Sequence, residues 1–317
     1  MSGTPTWVLG ARGLLGRHVA ASLRRRSAPV LTVTVPWGDR AGTGAALSEG
    51  VRRLEAAARG GPWQLAWCAG SGVVAATEEA MDAERTAFSW LLEEITDRPG
   101  LARSGRLFTA SSAGGVYAGS PERPPFTEAS AVGALVAYGR AKLEMEREVT
   151  RFAELTGTAV LIGRIANLYG PGQDLTKAQG LVSQLSRAHL TGQPIPIYVS
   201  LDTMRDYVYA ADVGDVVATG LEGLPAQVEG VPVPVVVKVI ASGTSLTIGS
   251  LIGESTRHHR ARARVIVKAP QEGSGQIRDL RLRSVVWPQL DAHLRTPMTV
   301  GLARTAADVA AQLRASR

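Results

Sequence analysis

A doubly wound parallel α/β sheet is the fold predicted by three features of the chain. The run Thr6-Trp7-Val8-Leu9 leads through Gly10-Ala11-Arg12-Gly13-Leu14-Leu15-Gly16 into a helical pattern. Short apolar runs then alternate with helix-length amphipathic stretches, the order that yields β-α-β units. Near the middle, Ser111-Ser112 close a fourth apolar run, and Tyr138 and Lys142 follow at helical spacing. Ligands of such sheets bind at the carboxyl ends of the strands, so these features converge on one crevice.

Each element follows from its local pattern. Behind the glycine turn, Val19, Leu23 and the intervening alanines share one side of a helix that closes on Arg24-Arg25-Arg26. Strand, glycine-rich turn and helix in this order make a cradle for a dinucleotide. The glycines admit the pyrophosphate to close range, and the helix N-terminus attracts its charge. A second strand is predicted over 30–35, followed by Pro36-Trp37-Gly38-Asp39-Arg40. An acid at the end of this strand would bond the ribose of NAD, but Val35 stands there and no carboxylate comes before Asp39. Arg12 in the loop and Arg40 beyond the strand could both meet a 2′-phosphate, which favours NADP. In the alternative, Arg40 is solvated and Asp39 reaches back to the ribose.

The third unit is a helix over 45–59, a buried strand over 64–68, and the small residues Ala69-Gly70-Ser71-Gly72, which let adenine or ribose approach. A long helix over 77–98 has Met81, Phe88, Leu91, Leu92 and Ile95 as its apolar side, and the fourth strand spans 106–110. Tyr138 and Lys142, four residues apart, lie one turn apart on one helix face. An ammonium there favours the phenolate over the phenol, and a tyrosine so tuned can pass a proton to or from a carbonyl or hydroxyl oxygen. The spacing alone is common in helices. Its weight comes from the hydroxyls and the glycine loop aimed at the same sheet edge.

Composition limits the alternatives. The 317 residues are 45% hydrophobic and 20% charged, a globular balance that suits one large or two smaller domains. The single cysteine, Cys68, excludes a disulfide within the chain, reads as packing, and points to a reducing compartment. No apolar run approaches the ~20 residues that span a bilayer, and the first residues lack a signal-peptide layout, so a soluble, cytoplasmic protein is expected. The net charge of +7 is spread along the chain beside 28 acidic residues, which argues for a phosphate-bearing small ligand rather than nucleic acid. The densest basic run, Arg257 to Arg264, reads as a solvated strand edge or loop before Val265-Ile266-Val267. His258 and His259 have no Cys, Asp or Glu at ligand spacing, so no metal site is expected.

On these residues the chain resembles the extended short-chain dehydrogenase/reductases, the nucleotide-sugar epimerase, dehydratase and reductase family. The carriers begin with Gly10, Gly13 and Gly16, with Ser111-Ser112 leading to Val116-Tyr117, and with Tyr138 and Lys142. They continue in Arg164-Ile165-Ala166-Asn167-Leu168-Tyr169-Gly170-Pro171-Gly172 and in Arg205-Asp206-Tyr207-Val208-Tyr209 before Asp212-Val213. The stretch Asp279-Leu280-Arg281-Leu282-Arg283-Ser284 fits only loosely.

The resemblance implies a Rossmann fold over residues 1–170 and a smaller C-terminal substrate-binding lobe over 171–317, with some segments returning to the first part. The pattern Val231-Pro232-Val233-Pro234-Val235-Val236-Val237 and a last helix over 302–315 are expected near the far sheet edge or in the lobe. Tyr138 would be the acid/base, Lys142 would tune it and bond the nicotinamide ribose, and Ser112 or Ser111 would bond the reacting oxygen. NADP or NAD would be held by Gly10, Arg12, Gly13, Leu14, Leu15, Gly16, Arg40, Ala69, Gly70, Lys142 and Ile165. A nucleotide-diphosphate sugar would meet Asn167, Arg205, Val116 and Tyr117, the arginine because its fork matches phosphate geometry. A homodimer would form through the helices over 77–98 and 134–154.

Departures from the family pattern narrow the reaction. Gly114 and Gly115 stand where 4,6-dehydratases carry an Asp-Glu pair, which excludes dehydration by that route. Ala113 stands where the family's catalytic hydroxyl often sits, which leaves both Ser111 and Ser112 as candidates. Reduction of a 4-keto nucleotide sugar by NADPH is favoured by Arg12 and by the missing acid after the second strand, with epimerisation on tightly held NAD as the alternative. A cofactor-sensing protein without turnover would predict a broken Ser-Tyr-Lys set, and here the set is intact.

Overall fold

The computed structural model describes residues 3–70, 77–177, 179–225, 234–269 and 277–316. The chain opens with β1 (Thr6–Leu9), α1 (Leu14–Arg25), β2 (Val30–Leu31), α2 (Arg40–Ala58), β3 (Trp63–Trp67) and α3 (Glu78–Thr96). The short α4 (Pro99–Ala102), β4 (Gly105–Ser112), the short α5 (Ala113–Tyr117), α6 (Ala137–Thr156) and β5 (Ala159–Ile165) follow. Beyond them lie β6 (Asn167–Tyr169), α7 (Leu181–Thr191), β7 (Ile195–Ile197), β8 (Met204–Tyr209), α8 (Ala210–Gly223) and β9 (Val235–Ile240). The chain continues through β10 (Ser245–Thr247), α9 (Ile248–His259), β11 (Val265–Val267) and β12 (Asp279–Leu280), and its last helix is α10 (Met298–Ala315).

The central sheet has six strands in the order β2-β1-β3-β4-β5-β9, all parallel. Strand order reverses between β1 and β3, and the glycine turn emerges at that switch point, where doubly wound sheets take their ligands. Strands covered on both faces read as continuous apolar runs. Accordingly β1 and β5 are buried along their whole lengths. One face packs Trp7, Trp63, Trp67 and Leu107 against Leu47 and Leu54 of α2, Phe88 and Leu91 of α3, and Val149 and Phe152 of α6. The other packs Val8, Phe108 and Leu161 against Val19 and Leu23 of α1 and Val213, Val217 and Leu221 of α8.

Local signals set the helix ends. Thr77 caps α3, its hydroxyl accepting from the Ala80 N–H, and Glu78 and Glu79 in the first turn complement the helix dipole. Gly157, with φ of 82°, terminates α6 in the left-handed region. Helix α6 starts at Ala137, later than the residue 134 expected, because Gly133 is tied by its backbone to Val116 and Gly119. The second strand is shorter than the predicted 30–35. It is an edge strand whose ladder to β1 covers only Val30 and Leu31, and the residues behind it swing out to line the crevice.

After residue 170 the chain returns to the sheet. Strand β9 completes the far edge against β5, where the proline-rich pattern was expected; residues 231–233 of that pattern lie outside the described residues. Strand β8 instead heads a separate small sheet, pairing with β6, β10 and β12. Helix α10 packs on α7 and α9, and Asp308 on it accepts from the Gly172 N–H at 2.7 Å, tying the turn after β6 to the crevice mouth. The basic run from Arg257 does not begin as a loop. Its first three residues finish α9, and Arg260, at φ of 52°, ends that helix before β11. The apolar side of α9 carries it that far, with the His259 ring stacked on His189 at 4.3 Å. No helix among the described residues is long and apolar enough to cross a membrane.

Candidate active site

At the switch point the chain turns through Gly10 at φ of 74°, where an added Cβ would lie 2.7 Å from the Cys68 and Ala69 backbone. A Cβ on Gly16 would lie 2.2 Å from the Gly10 carbonyl oxygen, so only glycine lets α1 begin this close to the loop. The N-terminus of α1 carries Leu14 and Leu15 and no acidic residue in its first turn. It opens on a crevice of about 1730 Å³ that the loop, the ends of β3, β4 and β5, and the first turns of α6 enclose. Gly10, Arg12, Gly13, Leu14, Leu15, Arg40, Ala69, Gly70, Ser111, Ser112, Tyr138, Lys142, Ile165 and Asn167 all line it, while Gly16 supports the loop from behind. Ser71 and Gly72, expected beside them, lie outside the described residues.

The end of the crevice beyond β2 is lined by Thr34, Trp37, Arg40 and Trp90, with the Arg40 guanidinium 5.2 Å from the Trp90 ring centre. Asp39 is engaged elsewhere: it caps α2, accepting from the Ala41 N–H, and does not line the crevice. Cys68 lies in the wall, and burial pushes its thiol pKa up, which keeps it protonated and inert.

Helix α6 presents Tyr138, Lys142 and Glu146 on successive turns of one face. The Lys142 ammonium sits 5.8 Å from the Tyr138 ring centre and donates to Glu84 Oε1 of α3 at 2.7 Å, with both side chains buried. Burial pushes the Lys142 pKa down, but the adjoining Glu84 carboxylate outweighs it and holds the amine above the ordinary lysine range. Glu146 receives Ser111 Oγ at 2.5 Å and the Arg164 fork, with Nη2 at 2.7 Å from Oε2. Arg164 also donates to the Tyr117 hydroxyl at 2.9 Å, and that hydroxyl donates on to the Thr127 carbonyl.

The two serines differ in what their hydroxyls are free to do. A hydroxyl has one proton to donate. Ser111 gives its proton to Glu146, whereas Ser112 accepts from the Gly115 N–H at 3.2 Å and keeps its proton for the crevice. Gly115 has a second role, since an added Cβ there would lie 3.2 Å from the Tyr138 ring.

Among the expected substrate contacts, Asn167 faces the crevice and donates through Nδ2 to the Asp206 carbonyl at 2.9 Å. Arg205 is buried on β8, with Nη1 bonded to the Met204 carbonyl, and is not part of the crevice wall; Tyr207, two residues on, is. Val116 and Tyr117 are fully buried. The short α5 turns them into the cluster below the crevice, where Tyr117 stacks on Phe126 at 5.3 Å, so neither side chain has a face on it.

The residues missed in the sequence are the buried charges. Glu146 lies one turn beyond Lys142, and Arg164 interrupts an otherwise apolar strand, so each carried a signal that a partner was required. Glu84 carried none, being one of several acids along α3.

A profile of the NAD dependent epimerase/dehydratase family matches residues 6–230. The chain belongs to this family. The dTDP-L-rhamnose 4-epimerase of Burkholderia thailandensis is 36% identical over 89 residues, which is 28% of this chain and 24% of that protein. The dTDP-4-dehydro-6-deoxyglucose reductase of Escherichia coli is 33% identical over 118 residues, 37% of this chain and 36% of that one. These matches span only about a quarter and about a third of the two relatives. The fold is shared over a much longer range. A UDP-glucose 4-epimerase of Thermotoga maritima, solved with UDP-glucose, superposes on 98% of this chain and all of its own (100%) with a TM-score of 0.81 at 21% identity.

Proposed function

We propose that the protein is an NAD(P)-dependent oxidoreductase acting on a nucleotide-diphosphate sugar, and that it reduces a 4-keto sugar using NADPH. The observation that carries this reading is one crevice holding a helix-terminated glycine loop at one end and Ser112, Tyr138 and Lys142 at the other. The chain's own residues fit such a cofactor. The acid-free N-terminus of α1, with Gly10, Gly13, Leu14 and Leu15, suits a pyrophosphate. Arg12 and Arg40 suit a 2′-phosphate; Ala69 and Gly70 leave room for the adenosine part; Lys142 and Ile165 stand at the nicotinamide end. When bound, the cofactor supplies the hydride.

The protein's part is then to position and to move a proton. Tyr138 donates its phenolic proton to the sugar oxygen as the carbonyl becomes an alkoxide. Ser112, its oxygen fixed by Gly115 N–H, donates its remaining hydrogen bond to that same oxygen. Lys142 holds positive charge beside the phenol. Asn167 and Arg205 serve the diphosphate end in this reading, and Asn167 already faces the crevice. A homodimer through α3 and α6, which pack side by side, belongs to the same reading, as does the division at residue 170.

The epimerase relative supports a second reading, in which tightly held NAD takes and returns the hydride. Dehydration has less support, because Gly114 and Gly115 carry neither acid nor base. The nucleotide that accompanies the purified protein separates the two readings. Exchangeable NADPH consumed by a 4-keto nucleotide sugar supports reduction; NAD that survives gel filtration and interconversion without net redox support epimerisation.

Two substitutions test the parts. Arg40→Ala is expected to weaken NADP⁺ by about tenfold or more while sparing NAD⁺, since one charge-assisted bond to phosphate is lost; equal losses for both nucleotides in a binding titration would count against NADP. Ser112→Ala is expected to lower kcat by about 10²-fold at nearly unchanged KM, the usual effect of deleting one donor to a developing oxyanion. Ser111→Ala, whose hydroxyl serves Glu146, is expected to spare kcat and to lower the melting temperature.

A further inference from the structure

A buried pair of opposite charges stands in the crevice wall. Glu84 of α3 and Lys142 of α6 meet at 2.7 Å with only 6% of each side chain exposed. Glu84 Oε2 has no hydrogen-bond partner among the described residues, and a side chain at Gly70 would begin 3.0 Å from Oε1. The groups facing the ammonium are few: Tyr138 and Glu146 from its own helix, and Glu84 from the neighbouring one. Glu146 is already shared between Arg164 and Ser111. Glu84 is therefore the principal countercharge.

We propose that Glu84 is a positioning residue that acts through Lys142, its carboxylate keeping a buried ammonium charged across the working pH range. This deepens the functional reading above and rests on it. A buried amine without a counterion gives up its proton readily. Without Glu84, burial would push the Lys142 pKa down, and the neutral amine would offer the ribose one hydrogen-bond donor fewer and leave Tyr138 without a neighbouring cation. As a source of stability a buried pair of this kind is weak, because desolvation offsets the attraction. Its effect on the protonation of the amine is direct, and both groups stand in the crevice wall, the carboxylate held on the amine.

The test needs only nucleotide and the whole protein. Wild type, Glu84→Gln and Glu84→Asp are titrated with NADP⁺ and with NAD⁺ from pH 6 to about pH 9.5, following tryptophan fluorescence, with circular dichroism to confirm folding. The wild-type Kd is expected to stay level. In Glu84→Gln the Kd is expected to rise above the pH at which Lys142 is deprotonated, with a slope approaching tenfold per pH unit. Glu84→Asp, which keeps the countercharge, is expected to restore the level profile. Should Glu84→Gln not fold, Glu84→Leu carries the same test without a buried amide. A folded charge-free variant whose profile superposes on the wild type overturns the assignment and leaves the functional reading standing. A wild type that binds neither nucleotide overturns both.

Discussion

Tyr138→Phe is expected to lose about 10²–10⁴-fold in kcat while binding NADP⁺ or NAD⁺ as tightly as the wild type. The substitution removes one oxygen from the second residue of α6 and leaves the aromatic ring against Gly115. Lys142, Glu84 and Glu146 keep their bonds, because none of them is bonded to the phenol. Only the proton donor is lost, so binding and turnover separate. Steady-state kinetics with a keto nucleotide sugar, set beside fluorescence titration of the nucleotide, give both numbers from one preparation. Wild-type turnover in this variant would remove Tyr138 from the chemistry.

Arg164→Leu should be the most destabilising single change near the site, at roughly 3–5 kcal/mol, because it strips the counterion from a buried carboxylate. Glu146 is 7% exposed and accepts three hydrogen bonds from two nitrogens of this arginine and one from Ser111. The arginine also anchors the Tyr117 hydroxyl, so its loss leaves a second buried polar group short of a partner. Burial pushes the guanidinium toward its neutral form and the Glu146 carboxylate overrides this, so the pair acts as one unit. Pairing Arg164→Leu with Glu146→Leu is expected to recover much of the loss, since two apolar side chains can replace a buried ion pair at little cost. Urea unfolding of the two single variants and the double variant measures the coupling, and strictly additive losses would mean that the two charges do not depend on each other.

The readability of the fold varied with how local its cause was. Gly10 and Gly16 announce a turn because Gly10 sits at φ of 74° and a Cβ on either would lie 2.7 Å or less from backbone atoms. The apolar run of β5 announces a central strand because both faces are covered. By contrast, β2 was predicted too long: β-branched residues over 30–35 favour extended backbone, but the chain leaves β1 after Leu31, although β1 itself runs on to Leu9 beside β3. The basic run at Arg257 was misplaced for a similar reason, since α9 is held by its apolar side and the charges simply follow it.

Residue identity and spacing were enough to place the glycine cradle, the paired hydroxyls and the Tyr138–Lys142 turn on one sheet edge, because each depends on a few consecutive residues. The choice of Ser112 over Ser111 as free donor and the pairing of Lys142 with a glutamate 58 positions earlier came from the packing of distant elements. A hydrogen bond or an ion pair is a relation between two groups, and when they come from separate helices and strands its existence is set by how those elements dock.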